Sequence, residues 1–176
     1  MTLVGVLSDT HDDVRLAVAA TKMLVERGAR LIVHLGDIVS PFTLAAIAGA
    51  LPGDVGLRAV YGNNCGEKMR LREVAEASGA VISDPPVELE LDGRRILLVH
   101  GWGSAEVTRR VVEALATGGS WDAVLYGHTH EVDYRYVRGV LLLNPGEASG
   151  VLTGRATAAL LDTETLRAWI LEVPRG

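Results

Sequence analysis

A single cysteine, Cys65, occurs in the 176 residues, which excludes an intrachain disulfide and a thiolate metal framework and suits a reducing compartment. Aromatic side chains are scarce, at 5% against a hydrophobic share of 48%, so the core has to be built from Val, Leu, Ile and Ala. Long apolar runs are missing too: stretches such as Ile96–Val99 and Leu141–Leu143 fall far short of the roughly 20 residues of a membrane span. Positive charge is not in surplus. With a formal charge of −5 and only isolated basic pairs, Arg94-Arg95 and Arg109-Arg110, no nonspecific nucleic-acid binding is expected. The N-terminus lacks a basic start and a cleavage region and runs through Ser8 straight into Asp9, the pattern of a first strand rather than a signal peptide. A cytoplasmic location without a membrane partner is the expectation. Linkers, internal repeats and low-complexity tracts are absent, and the length can bury a core, so residues 1–176 are expected to form a single domain.

What the chain does contain is a series of short apolar runs that each end in polar residues. Residues 3–8 read as a buried strand, followed by helical spacing over 12–28 with Val14, Ala17, Val18, Met23 and Leu24 on one side and Gly28 as a stop. Further strands are predicted over 31–35 and 57–61, with helices over 42–50 after Pro41 and over 68–78. Beyond Pro85-Pro86 the pattern turns antiparallel. Strands at 87–91 and 95–99 flank Asp92-Gly93, a strong two-residue hairpin signal. A helix over 105–116, a strand over 123–126, a hairpin of 132–137 with 140–143 about Arg138-Gly139, and a hairpin of 156–162 with 166–173 complete the reading. Mixed β/α and hairpin segments imply two sheets with flanking helices, an α/β (α+β) class.

The polar ends carry the chemistry. They are Asp9-Thr10-His11, Gly36-Asp37, Gly62-Asn63, His100-Gly101 and Gly127-His128-Thr129-His130. Residues two apart in extended chain project to one side, so Asp9 with His11, and His128 with His130, can each aim two donors at a common centre. Glycine beside Asp37, Asn63, His100 and His128 permits close backbone approach there. Mixed nitrogen and oxygen donors suit Mn, Fe, Zn, Ni or Co, not a thiolate-bound metal or calcium alone.

In that order the five motifs resemble the calcineurin-like metallophosphoesterase superfamily over nearly the whole chain. Ser8-Asp9-Thr10-His11-Asp12, Tyr126-Gly127-His128-Thr129-His130-Glu131 and Leu143-Asn144-Pro145-Gly146 are most similar to its compact archaeal and bacterial phosphodiesterases. The resemblance implies a four-layer fold, a two-sheet β-sandwich flanked by helices. It implies one divalent transition metal held by Asp9, His11, Asp37 and His130, and a second held by Asp37, Asn63, His100 and His128, with Asp37 as the bridge. Manganese is the first expectation, with Ni, Fe, Zn or Co as alternatives. Asp37, Asn63 and His100 would then serve in catalysis as well as ligation. Two such cations roughly 3.5–4 Å apart let a bridging hydroxide attack phosphorus in line, so no protein nucleophile is needed. The implied activity is hydrolysis of small or nucleotide-like phosphodiesters, with a small phosphoester as the partner. Self-association into a homo-oligomer is left open.

Each residue also has a plainer reading. Asp9 and Asp37 taken alone suit helix N-caps. His100, His128 and His130 taken singly suit structural histidines, and the ordered set reverses that weighting. His34, inside an apolar run, reads as core or as support for a ligand. Cys65 reads as inert for want of an activating base. Asn144-Pro145-Gly146 reads as a turn near the centre, Thr10 and Thr129 as spacers, and Trp102 as either lining a substrate pocket or covering the site. Two rival functions stand beside the diesterase: an interaction scaffold of the same fold, as in a eukaryotic retromer subunit, and a phosphomonoesterase. Monoesterase relatives place His directly after the motif Asn, where this chain has Asn64.

Overall fold

The computed structural model describes residues 2–175. A six-stranded sheet has the order β11-β10-β1-β2-β3-β4. It is built from β1 (Leu3–Leu7), β2 (Leu31–His34), β3 (Gly56–Val60), β4 (Val81–Ser83), β10 (Thr157–Asp162) and β11 (Ala168–Glu172). A five-stranded sheet, ordered β5-β6-β7-β9-β8, comprises β5 (Val87–Leu91), β6 (Arg94–Leu98), β7 (Ala123–Leu125), β8 (Val132–Val137) and β9 (Val140–Pro145). Helices α1 (Val14–Glu26), α2 (Pro41–Gly49) and α3 (Lys68–Ala77) pack on the first sheet and α4 (Ala105–Gly118) on the second.

Alternation along the strands builds the four layers. On β1, Val4 and Val6 face the second sheet while Leu7 faces the helices. Across the sandwich, Leu98 of β6, Leu125 of β7 and Leu143 of β9 fill the inter-sheet core, and their neighbours Leu97, Val124 and Leu142 turn outward to α4. Strands buried on both faces read as continuous apolar runs, which is why β2 and β9 carry almost no polar residue until their ends.

The expected elements form within about two residues of their predicted bounds. The two-residue hairpin turns, β5–β6 and β8–β9, take left-handed backbone at both central residues, with φ 50° and 74° at Asp92-Gly93 and 50° and 85° at Arg138-Gly139, as right-twisted strands favour. One strand is additional. β4 spans three residues, too few for a periodic signal, and exists because it pairs in parallel with β3 through Arg58–Val81, Ala59–Ile82 and Val60–Ser83.

His34 ends β2 fully buried, with Nε2 3.1 Å from the Thr10 hydroxyl and Nδ1 accepting the Gly36 N–H at 3.3 Å. It is a core histidine, and burial pushes its pKa down to about 4. Unfolded chains protonate this imidazole first, so the stability it confers is full above pH 6.5 and is lost as pH falls toward about 4, a difference of about 3 kcal/mol. In chelator-treated protein, the stability advantage of wild type over His34→Gln in urea unfolding is expected to shrink by that amount across this range. A constant advantage would mean an ordinary pKa.

Candidate metal centre

β1, β2 and β3 run parallel in one sheet, and β6, β7 and β9 run parallel in the other, so the polar strand ends gather at one rim of the sandwich. The backbone there is unusual. Asp9, His11, Asp37, His128 and His130 all have positive φ, from 42° to 68°, a region that costs a non-glycine residue about 1–3 kcal/mol. Neighbouring strand ends hold them in it: the Asp9 N–H donates to Gly36 O at 3.1 Å, the His11 N–H to Asp37 O at 3.0 Å and the Gly127 N–H to His100 O at 2.9 Å. Close approach requires glycine at Gly36, Gly62, Gly101 and Gly127. A Cβ at Gly62 would lie 2.2 Å from Asp37 Oδ1, and one at Gly127 would lie 2.0 Å from Ser8 Oγ.

All seven predicted donors come together. Asp9, His11 and His130 offer donor atoms within 4.8 Å of one another, and so do Asp9, Asp37 and His100. Asp37 Oδ2 stands between the groups, 3.6 Å from His11 Nε2 and 3.5 Å from His100 Nε2. Asn63 Oδ1 lies 3.0 Å from His100 Nε2 and 2.8 Å from His128 Nδ1. Asp9 is held by one oxygen, Oδ2, which accepts from the Ser8 hydroxyl at 2.5 Å and the His128 N–H at 3.0 Å. Its other oxygen, Oδ1, is buried without a hydrogen-bond partner and lies 3.4 Å from His130 Nε2 and 3.8 Å from His11 Nε2. An orphaned carboxylate oxygen facing two imidazole nitrogens is the donor pattern of a cation site.

Three histidines are oriented by acceptors behind them. His100 Nδ1 donates to Leu35 O at 2.7 Å, His128 Nε2 to Gly103 O at 2.7 Å and His130 Nδ1 to Glu147 Oε2 at 2.8 Å. Each outer nitrogen therefore carries a proton, and in the neutral ring the inner nitrogen presents its lone pair to the centre, as metal-binding imidazoles require.

The charges are matched internally. Burial drives the Asp37 carboxyl upward, but His100 and the two Asn64 hydrogen bonds outweigh it and hold the group well below the usual carboxylate range. Asp9 is likewise lowered, with burial outweighed by His11, His100, Ser8 and His130. In return His11 is raised, chiefly by Asp9, and His100 is raised by Asp37 and Asp9 against the effect of its own burial.

Neither aspartate is a helix cap, since Asp13 caps α1 by accepting the Leu16 N–H and α2 starts after Ser40. Cys65 is buried, its sulfur accepting the Gly62 N–H at 3.4 Å. Thr10 and Thr129 are more than spacers: Thr10 touches His34 and Asp37 O, and the Thr129 hydroxyl accepts from Asn144. Asn144 is buried and also donates to Gly127 O, so the 144–146 turn is tied to the His128–His130 segment. Trp102 lines an apolar cleft of about 250 Å³ with Val99, Leu115 and Trp121.

Sequence reasoning missed two side chains. Asn64 clamps both oxygens of Asp37, through its backbone N–H to Oδ1 and its amide to Oδ2, each at 2.7 Å. Glu147 is fully buried behind His130. Its only sequence signal is a carboxylate directly after the Asn144-Pro145-Gly146 turn.

Residues 2–166 match the calcineurin-like phosphoesterase superfamily domain. The chain is 34% identical over 162 residues to Phosphodiesterase MJ0936 of Methanocaldococcus jannaschii, spanning 92% of this chain and 93% of that one. It is 28% identical over 174 residues to a probable metallophosphoesterase of Methanothermobacter thermautotrophicus, spanning 94% and 92%. A solved structure of an archaeal phosphodiesterase superposes with a TM-score of 0.87 at 32% identity, covering 97% of this chain and 99% of that one. A donor set drawn from five strand ends in the family's order, on the family's sandwich, and matched over nearly its full length, places this chain in the calcineurin-like phosphoesterase superfamily.

Proposed function

We propose that the chain is a metal-dependent phosphodiesterase that acts on small or nucleotide-like phosphodiesters, with two divalent transition-metal ions, manganese first, held by Asp9, His11, Asp37, Asn63, His100, His128 and His130. The observation that carries this reading is the orientation of the donors. Three imidazoles, His100, His128 and His130, turn their inner nitrogens to the centre, and a buried Asp9 oxygen without a hydrogen-bond partner faces His130 and His11. When bound, such a metal pair supplies Lewis acidity and an activated water for in-line attack on phosphorus. The residues of the chain hold and orient. Asp37 lies between the two histidine groups, Asn63 Oδ1 stands beside the inner nitrogens of His100 and His128, and the buried aspartates fix the polarity of the rim. The relatives' names support hydrolysis of a phosphodiester. An intact donor set argues against a scaffold role, in which nothing would maintain buried carboxylates on strained backbone.

Two equivalents of Mn²⁺ or a similar ion are expected per chain by elemental analysis of protein purified without chelator, and EDTA is expected to abolish hydrolysis. Metal-free protein with full, chelator-resistant activity would refute the mechanism. Asp37→Asn is expected to lower kcat further than Asp9→Asn, by on the order of tenfold at saturating metal, because a carboxylate placed between the two histidine groups would offset the charge of both cations. Equal losses would remove the bridge from Asp37.

Asn64 also bears on substrate choice. Its amide is committed to Asp37 and has no acidic proton to give a leaving group. Without a general acid, poor leaving groups are expected to lose on the order of 10²–10⁴-fold. Across substituted phenyl phosphodiesters the rate should therefore fall steeply with rising leaving-group pKa, and Asn64→His should flatten that slope. A flat wild-type series, with chemistry rate-limiting, would reveal an acid elsewhere.

A further inference from the structure

His100 and His128 rest on backbone carbonyls, which can only accept a hydrogen bond, so their tautomers are set by the fold itself. His130 rests on a side chain. Glu147 Oε2 accepts from His130 Nδ1 at 2.8 Å and from the Ser149 hydroxyl at 3.1 Å, while Oε1 accepts from Leu152 N at 2.9 Å, Thr153 N at 2.5 Å and the Thr153 hydroxyl at 2.8 Å. Five contacts on two oxygens, inside a fully buried carboxylate, are what an acceptor-only ionised group satisfies and a neutral one does not.

We propose that Glu147 is a positioning residue for His130: by accepting from Nδ1 it fixes the tautomer that leaves Nε2 unprotonated, 3.4 Å from Asp9 Oδ1 and 3.3 Å from His11 Nε2. The geometric half of this stands on the hydrogen bonds alone. The consequence for metal binding rests on the metal-centre reading above.

Glutamine at the same position separates the two oxygens. Its carbonyl is drawn to the end that meets Leu152, Thr153 and the Thr153 hydroxyl, because an NH₂ group there would meet two backbone N–H donors. The amide NH₂ then faces His130, donates to Nδ1 and shifts the ring proton to Nε2, the atom turned toward Asp9 and His11. Shape, volume and the tie to residues 152–153 are kept. What changes is which imidazole nitrogen carries the hydrogen.

The test is Glu147→Gln, read in two ways on chelator-treated full-length protein. Long-range ¹H–¹⁵N correlation spectra are expected to report His130 as the Nδ1–H tautomer in wild type and as Nε2–H in the variant. Calorimetric titration with Mn²⁺ is expected to find one of two equivalents weakened by roughly 10–100-fold in the variant, with the other unchanged. A wild-type His130 protonated at Nε2 overturns the proposal whether or not the variant folds, and so does a folded variant with the wild-type tautomer and wild-type Mn²⁺ affinity. Wild type that takes up no Mn²⁺, alongside a tautomer that switches as expected, would refute the metal-centre reading and leave the positioning role of Glu147 standing.

Discussion

Two carboxylates removed from water, Asp9 and Asp37, sit at the tips of neighbouring parallel strands, and the surroundings of the rim answer to their charge. Burying an ionised carboxylate in an apolar sandwich is costly unless hydrogen bonds and opposite charge surround it. Asp37 receives both Asn64 donors, and Asp9 receives Ser8 and the His128 N–H. His11 and His100 hold their protons more tightly in exchange. One oxygen, Asp9 Oδ1, is left over, and that imbalance is what a cation would correct.

Strain is the second constraint. Five of the seven donors sit on left-handed backbone, a region uncommon outside glycine that Asp and His enter more readily than most residues. The surrounding sheets enforce it: neighbouring strand ends lock the turns, and Gly36 beside Asp37 and Gly127 beside His128 stand where a methyl group would collide with a neighbouring side chain. A site so constrained gives up stability locally, and three apolar cores on the sheets' faces offset the loss.

Much of this was legible in the sequence because it is written in local pattern. Apolar runs such as Ile32–Leu35 announce buried strands, Asp92-Gly93 announces a turn, and the donor motifs recur at strand ends in a fixed order. The parts that escaped are those whose meaning lies across space. β4 is a strand only because β3 lies beside it. Asn64 could be read as lacking an acidic proton, but not as a clamp on a residue 27 positions earlier. Glu147 drew no reading from the sequence, because nothing near it betrays the imidazole 17 residues before it. Asp9 and Asp37 pointed to caps when considered alone, and only the position of Asp13 and Ser40 in the fold removes that reading.

β1 lies between β2 on one side and β10 on the other, and its register with β10 joins Leu3 to Asp162 and Val6 to Ala159. On a ribosome, the strand that leads to Asp9 and His11 therefore emerges well before β10 and has one edge bare until residues 157–162 follow. The Asp37 and Asn63 strands can assemble on it meanwhile, but the first sheet is not sealed during most of synthesis. An open strand edge of apolar residues invites pairing with another chain. For β1, then, the protection of its second edge depends on a strand that lies more than a hundred residues further along the chain.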